Sequence, residues 1–228
     1  MARSLERLVD HQARRWQLQR ARPKSEAPGP VLTVAHQHGA GGEEVVRSLA
    51  AELELDVFDR EIIQQIAEST HLSERVVSTL DDKARAWLTD WLEGLASHDF
   101  LSATEYRHQL ARVVGAIVHH GGAIILGHGA HLVLGEGEAL RVLLVAPLEA
   151  RVRSVMKAEG IGDQEARRQI QDFEAARRAV LTQHFHANLD DPARFDLVVN
   201  TARLGTNGTA AVIRAALAHW ARHATPRH

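Results

Sequence analysis

Cysteine is missing altogether from this chain of 228 residues, and its absence removes three chemistries at once. Disulfide scaffolding, thiol nucleophiles and cysteine-ligated zinc all need that sulfur, and a reducing cytoplasm is the expected location. A surplus of one charge is missing too. Lys and Arg number 27 against 29 Asp and Glu, a formal net charge of −2, so no basic field invites nucleic acid or a membrane surface as a partner. No apolar run is long enough to span a bilayer, and the basic N-terminal residues lack the apolar stretch of a secretory signal behind them. No serine sits in a nucleophile-elbow context, which leaves Ser-His-Asp hydrolysis without support. Histidine is abundant at 15 residues, but no carboxylate–histidine spacing of a zinc enzyme accompanies it. His36/His38, His119/His120 and His184/His186 read as solvated or packing residues, and no protein-held metal is expected.

What is present is a composition, 45% hydrophobic and 25% charged, that can build a sizeable core in one large domain or in a domain with an appendage. Its most informative stretch is VLTVAHQHGAGG at 31–42. An apolar β-type run ends in a loop carrying Gly39, Gly41 and Gly42, and a helical pattern of Val45, Val46, Leu49, Ala50 and Leu53 follows directly. Strand, glycine loop and helix in this order form a phosphate cradle, because glycines let backbone N–H groups crowd an anion at a helix N-terminus. The spacing is that of a Walker loop with parts replaced. His36 stands at the first glycine position, and Gly42 and Glu43 stand where Lys and Ser/Thr would be. Taken alone, the loop fits phosphate binding and a plain tight turn equally.

Along the chain, 1–30 reads as an N-terminal helix with Leu5, Leu8, Val9 and Trp16, followed by a Pro/Gly linker. We expect 1–28 to lie outside the core as a loosely docked helix; the alternative is a docking element for a homodimer or an acidic partner. Strand patterns recur at 55–58, 123–126, 141–146 and 196–200. Residues 61–95 read as helical and partly irregular, with Trp87, Leu88, Trp91, Leu92 and Leu95 at core spacing. Further helices are expected at 106–120, 148–183 and 209–221. Apolar strands alternating with helices predict a parallel sheet covered on both faces, with ligands at the carboxyl ends of its strands.

The order of motifs resembles the cytidylate-kinase-like family of P-loop nucleoside monophosphate kinases. That family reads S-R-x-x-G-S-G-G-R-E-I where this chain has Ala35-His36-Gln37-His38-Gly39-Ala40-Gly41-Gly42-Glu43-Glu44-Val45. Phe58-Asp59-Arg60-Glu61, Gly127-His128-Gly129-Ala130, Ala146-Pro147-Leu148-Glu149-Ala150-Arg151 and Phe195-Asp196-Leu197-Val198-Val199-Asn200-Thr201 follow in the family's order. The resemblance implies a three-layer P-loop NTPase fold over 31–222, with a parallel five-stranded sheet, a helical acceptor-binding region at 60–105 and a helical lid at 151–190. It implies transfer of the ATP γ-phosphoryl group, with Mg²⁺, to a nucleoside monophosphate such as CMP or another small acceptor. By the same resemblance His36, Gly39, Ala40, Gly41, Gly42, Glu43 and Glu44 hold the donor phosphates. Asp59, Arg60, His128, Glu174 and Arg177 face the acceptor, and Arg151, Arg177 and Asp59 serve transfer. Arg153 and Arg178 are further lid candidates. Arg151, as a lid residue, is expected to be solvated when the lid is open, so that its loss would leave stability nearly intact.

Three departures from the family pattern change charge. Arginines expected at 36, 43 and 128 are His36, Glu43 and His128. A phosphate beside Glu43 is repelled unless a cation intervenes. A nucleotide-binding or regulatory protein that keeps the scaffold with degenerate catalysis is therefore the alternative reading.

Overall fold

β1 (Val31–His36) is apolar on both sides and buried for five of its six residues, which is the signature of a strand at the middle of a parallel sheet. It pairs with β3 (Ala123–Leu126) on one side and β4 (Leu140–Val145) on the other, Val34 opposite Leu126 and Val142. β2 (Asp56–Phe58) and β5 (Leu197–Asn200) close the edges in the order β2-β3-β1-β4-β5, every pairing parallel. This is the computed structural model of the chain, and it describes residues 7, 9–14, 16, 29–97, 105–127, 129–134, 137–185 and 191–223. The expected α/β fold with a five-stranded parallel sheet is what it shows.

Alternation along the strands sends successive side chains to opposite faces. Leu32, Val34, Ile124, Leu126, Val142 and Leu144 pack against Val45, Val46 and Leu49 of α1 (Gly42–Leu53) and Ala210, Ile213 and Leu217 of α9 (Thr201–His223). The opposite face buries Val31, Ala123 and Ile125 under a helical layer. That layer comprises α2 (Arg60–Glu68), α3 (Thr70–Ser78), α4 (Asp82–Ser97), α5 (Glu105–His120) and the short α6 (Ala130–Val133). Trp87, Trp91 and Leu92 pack against this core, as their helical spacing predicts.

The stretch at 61–95 is divided where polar side chains cap new helices. Ser69 Oγ accepts from Leu72 N at 3.4 Å to open α3, and Asp81 Oδ1 accepts from Ala84 N at 2.8 Å to open α4. The charged stretch from 148 becomes α7 (Leu148–Glu159) and α8 (Asp163–Phe185), separated at the left-handed Gly160. Arg167 links both, donating to Glu149 of α7 and to Asp163 at the start of its own helix. The stretch Thr201–His223 is two helical pieces broken at Gly205, whose backbone (φ 64°, ψ 178°) is not helical, so the closing helix proper begins after that glycine, near the expected 209.

One expectation about the arrangement of the chain is overturned. Val9 and Trp16 do not lie outside the core, for they are 4% and 3% exposed and belong to the cluster that includes Phe58, Ile63 and Val76, while Leu5 and Leu8 lie outside the described residues. The reason lies at the sheet edge. A three-residue strand with a partner on one side only leaves apolar surface at Phe58 that a flat side chain can cover.

Candidate functional site

The carboxyl ends of β1, β3 and β4 converge on the glycine loop. Gln37 N–H donates to Leu144 O at 3.0 Å and Gly127 N–H donates to Val34 O at 2.8 Å, so the three chain exits stay in register beyond the strands. The Gln37 side chain adds a cross-link, its Oε1 accepting from Ala146 N at 3.1 Å. Ala40 N–H turns back onto Gln37 O at 3.0 Å and tightens the loop, which occupies that amide internally.

Two of the loop's glycines are required by the packing of the protein on itself. Gly39 has φ +80°, and a Cβ there would stand 2.7 Å from Arg151 O, so the first turn of α7 could not approach. A Cβ on Gly42 would stand 2.5 Å from His36 Cγ, because the imidazole lies flat against that backbone. Gly41 is different. It starts α1 with φ 72° and no side-chain cap, and the nearest atom to its open side is Glu44 Oε2 at 3.8 Å. The amides of the first turn of α1, at Gly42, Glu43 and Glu44, therefore face the loop without a capping side chain, which is the arrangement that receives phosphate oxygens. Glu43 and Glu44 are exposed on that turn and favour the helix dipole themselves.

Positive charge reaches the loop from the helical pair α7–α8. Arg151 Nε donates to Ala146 O at 3.1 Å, and its Nη1 donates to His38 O at 3.3 Å and to Glu174 Oε1 at 2.5 Å. Arg177 Nη1 donates to His36 O at 3.3 Å. Glu174 and Arg177 share one face of α8, three residues apart, and Phe173 beside them stacks on the His38 ring at 4.6 Å. Arg151 corrects the expectation of a solvated lid arginine: it is 7% exposed, held by two carbonyls and a carboxylate. Arg153 and Arg178 are exposed.

His36 does not replace an arginine as a charge. Burial is the main influence on His36 and pushes its pKa below 6.5, with Arg177 and His38 adding repulsion against the acceptance of a proton by Gln37 O and the attraction of Glu43. Its Nδ1–H donates to Gln37 O at 3.2 Å, leaving a neutral ring under Gly42. His131 on α6 is more deeply affected. It is buried against Phe195 at 4.5 Å, its Nε2 has no hydrogen-bond partner, and burial, with Arg177 next, lowers its pKa to about 3. His128 lies outside the described residues.

Asp59, expected to face an acceptor, follows β2 directly, and its carbonyl accepts from Ile63 N at 3.2 Å, opening α2. Arg60 is the first residue of that helix. Among the described residues, no three His, Asp or Glu gather as a metal site, and no helix is long and apolar enough to cross a membrane. Sequence reasoning brought together Arg151, Glu174, Arg177 and the loop. It missed Gln37, Phe173 and His131, whose roles depend on which strand end or helix faces them, and no motif marks them.

Comparison with known proteins gives the same picture. A family model described as "Cytidylate kinase-like family" matches residues 31–203. A cytidylate kinase of Thermococcus sibiricus is 35% identical over 80 residues, 35% of this chain and 42% of that protein. A cytidylate kinase of Pyrococcus horikoshii is 26% identical over 131 residues, covering 56% of this chain and 68% of its own length. The alignment with the Thermococcus enzyme thus spans about two fifths of that relative. An uncharacterized protein from Eubacterium ventriosum superposes with a TM-score of 0.58 at 12% identity, over 82% of this chain and 98% of that one, a likeness of fold.

Proposed function

The chain belongs to the cytidylate kinase-like family, and from that premise we propose that it binds ATP at the glycine loop and passes the γ-phosphoryl group to a nucleoside monophosphate such as CMP, or to another small acceptor. The observation that carries this reading is the convergence of Arg151 and Arg177 on the loop backbone, at His38 O and His36 O, from two helices outside the sheet. Phosphoryl transfer asks a protein for alignment and for positive charge on the migrating group, with little covalent chemistry of its own. The amides of Gly42, Glu43 and Glu44 at the start of α1 fit the donor phosphates. Arg177 and Arg151, released from their carbonyls, supply the charge, and closure of α7–α8 over the loop excludes water. Asp59 and Arg60, at the end of β2, face the acceptor. Mg²⁺, when bound, would arrive on the nucleotide and would screen the phosphate charge.

A second reading has its own support. Arg151 is engaged by Glu174 at 2.5 Å, His36 is neutral under Gly42, and Glu43 and Glu44 place carboxylates at the loop. These favour a nucleotide-binding protein in which transfer is weak or lost. Calorimetric titration with ATP and a coupled assay across CMP, dCMP, UMP and AMP, on one preparation, separate the two. Binding with turnover of one acceptor supports the kinase; binding without turnover of any supports the second reading. Absence of ATP binding refutes both.

A further inference from the structure

We propose that residues 9–14 and Trp16 form a brace that positions the acceptor-side wall, from Asp59 through α3, against the sheet, with Trp16 as its principal positioning residue. The segment lies before residue 31, where the family match begins, so it is a feature of this chain outside the shared domain. It is anchored at three elements. Gln12 Nε2 donates to Asp56 Oδ2 at 2.8 Å on β2. Asp10 pairs with Arg75 on α3. Trp16 stacks on His120, the last residue of α5, at 4.2 Å and 9°, and lies 5.9 Å from the Phe58 ring.

The stack continues into the wall. His120 Nε2 is 2.8 Å from Thr79 Oγ1, directly after α3, and that hydroxyl also donates to Val76 O at 2.6 Å. β2, the N-terminal segment, α3 and the end of α5 are thereby joined in a closed circuit. β2 needs such support, for it has three residues and one strand partner, and short edge elements open locally at low cost. Asp59 is the residue after Phe58, so whatever fixes β2 fixes the direction from which Asp59 meets an acceptor. α3 cannot swing away from the N-terminal residues without parting Asp10 from Arg75.

The kinetic consequence rests on the phosphotransferase reading; the mechanical one does not. The test is hydrogen exchange by mass spectrometry on the full chain, with steady-state kinetics for ATP and CMP. The Asp10→Ala/Gln12→Ala double variant removes only part-exposed contacts and keeps Val9 and Trp16. We expect several-fold faster exchange confined to 56–78, a raised KM for the acceptor and an unchanged KM for ATP. Trp16→Ala should act in the same direction, with exchange there faster by ~100-fold or more. Exchange at 56–78 unchanged in the double variant, or accelerated evenly over the whole chain, would overturn the brace. If the unaltered chain transfers phosphate to no acceptor, the kinase reading falls, and the exchange pattern alone decides the brace.

Discussion

Arg151→Ala separates a structural arginine from a free lid arginine. The guanidinium side chain is 8% exposed and Glu174 is 30% exposed. Removing one partner of a buried ion pair costs ~3–5 kcal/mol, because the other charge stays desolvated. Glu174 can rehydrate in part, which lowers that figure, while Ala146 O and His38 O each lose a charged donor, which raises it. A net destabilisation of ~2–4 kcal/mol follows. In a chain of this size each kcal/mol moves the melting midpoint by about 2–4 °C, so a fall of roughly 5–15 °C is expected. Differential scanning calorimetry of the apo protein reads it directly, and ATP affinity should fall in the same variant. A midpoint within about 1 °C of the parent, with ATP binding lost, would show Arg151 to be solvated and the buried pair to be wrong.

Substitutions at three other features test them separately. Gly42→Ala should destabilise by ~1–3 kcal/mol through collision with the His36 ring, and His36→Ala in the same chain should recover part of that loss; chemical denaturation measures both. His131 stays neutral in the folded chain down to about pH 3 while the unfolded residue takes up a proton near 6.5. Stability is therefore full above that upper value and falls as pH drops below it, by up to about 1.4 kcal/mol per pH unit from this group. His131→Phe should flatten that acid limb in urea titrations at successive pH values; an unchanged slope would count against the buried neutral imidazole. Glu174→Gln removes the carboxylate that engages Arg151 and should tighten ATP binding in calorimetry.

The sheet was legible because its strands are apolar on both sides. Val31 to Ala35 and Ala123 to Leu126 carry no polar interruption except Thr33, and only a doubly covered parallel strand accommodates such runs. The glycine loop, and the approach of Arg151 and Arg177 to it, were legible by family resemblance and by spacing. What sequence could not show is tertiary choice. Trp16 sits on a weak amphipathic pattern in a basic setting, and its burial depends on Phe58 and His120, far along the chain. Arg151 looks like any lid arginine until Glu174 and two carbonyls surround it. His131 has the composition of a surface residue, and its burial comes from Phe195 packing back from the β5 side.

The placement of nucleotide phosphates on the first turn of α1 is tested most directly by following backbone amide resonances as ATP and Mg²⁺ are added to the labelled chain. The largest shifts should fall on Gly41, Gly42, Glu43 and Glu44, with a second set on α8 around Arg177 as its bond to His36 O is exchanged for phosphate. Saturable binding that leaves those amides unmoved and shifts another region, or no shift at any amide at millimolar ATP, would contradict the glycine loop as the site.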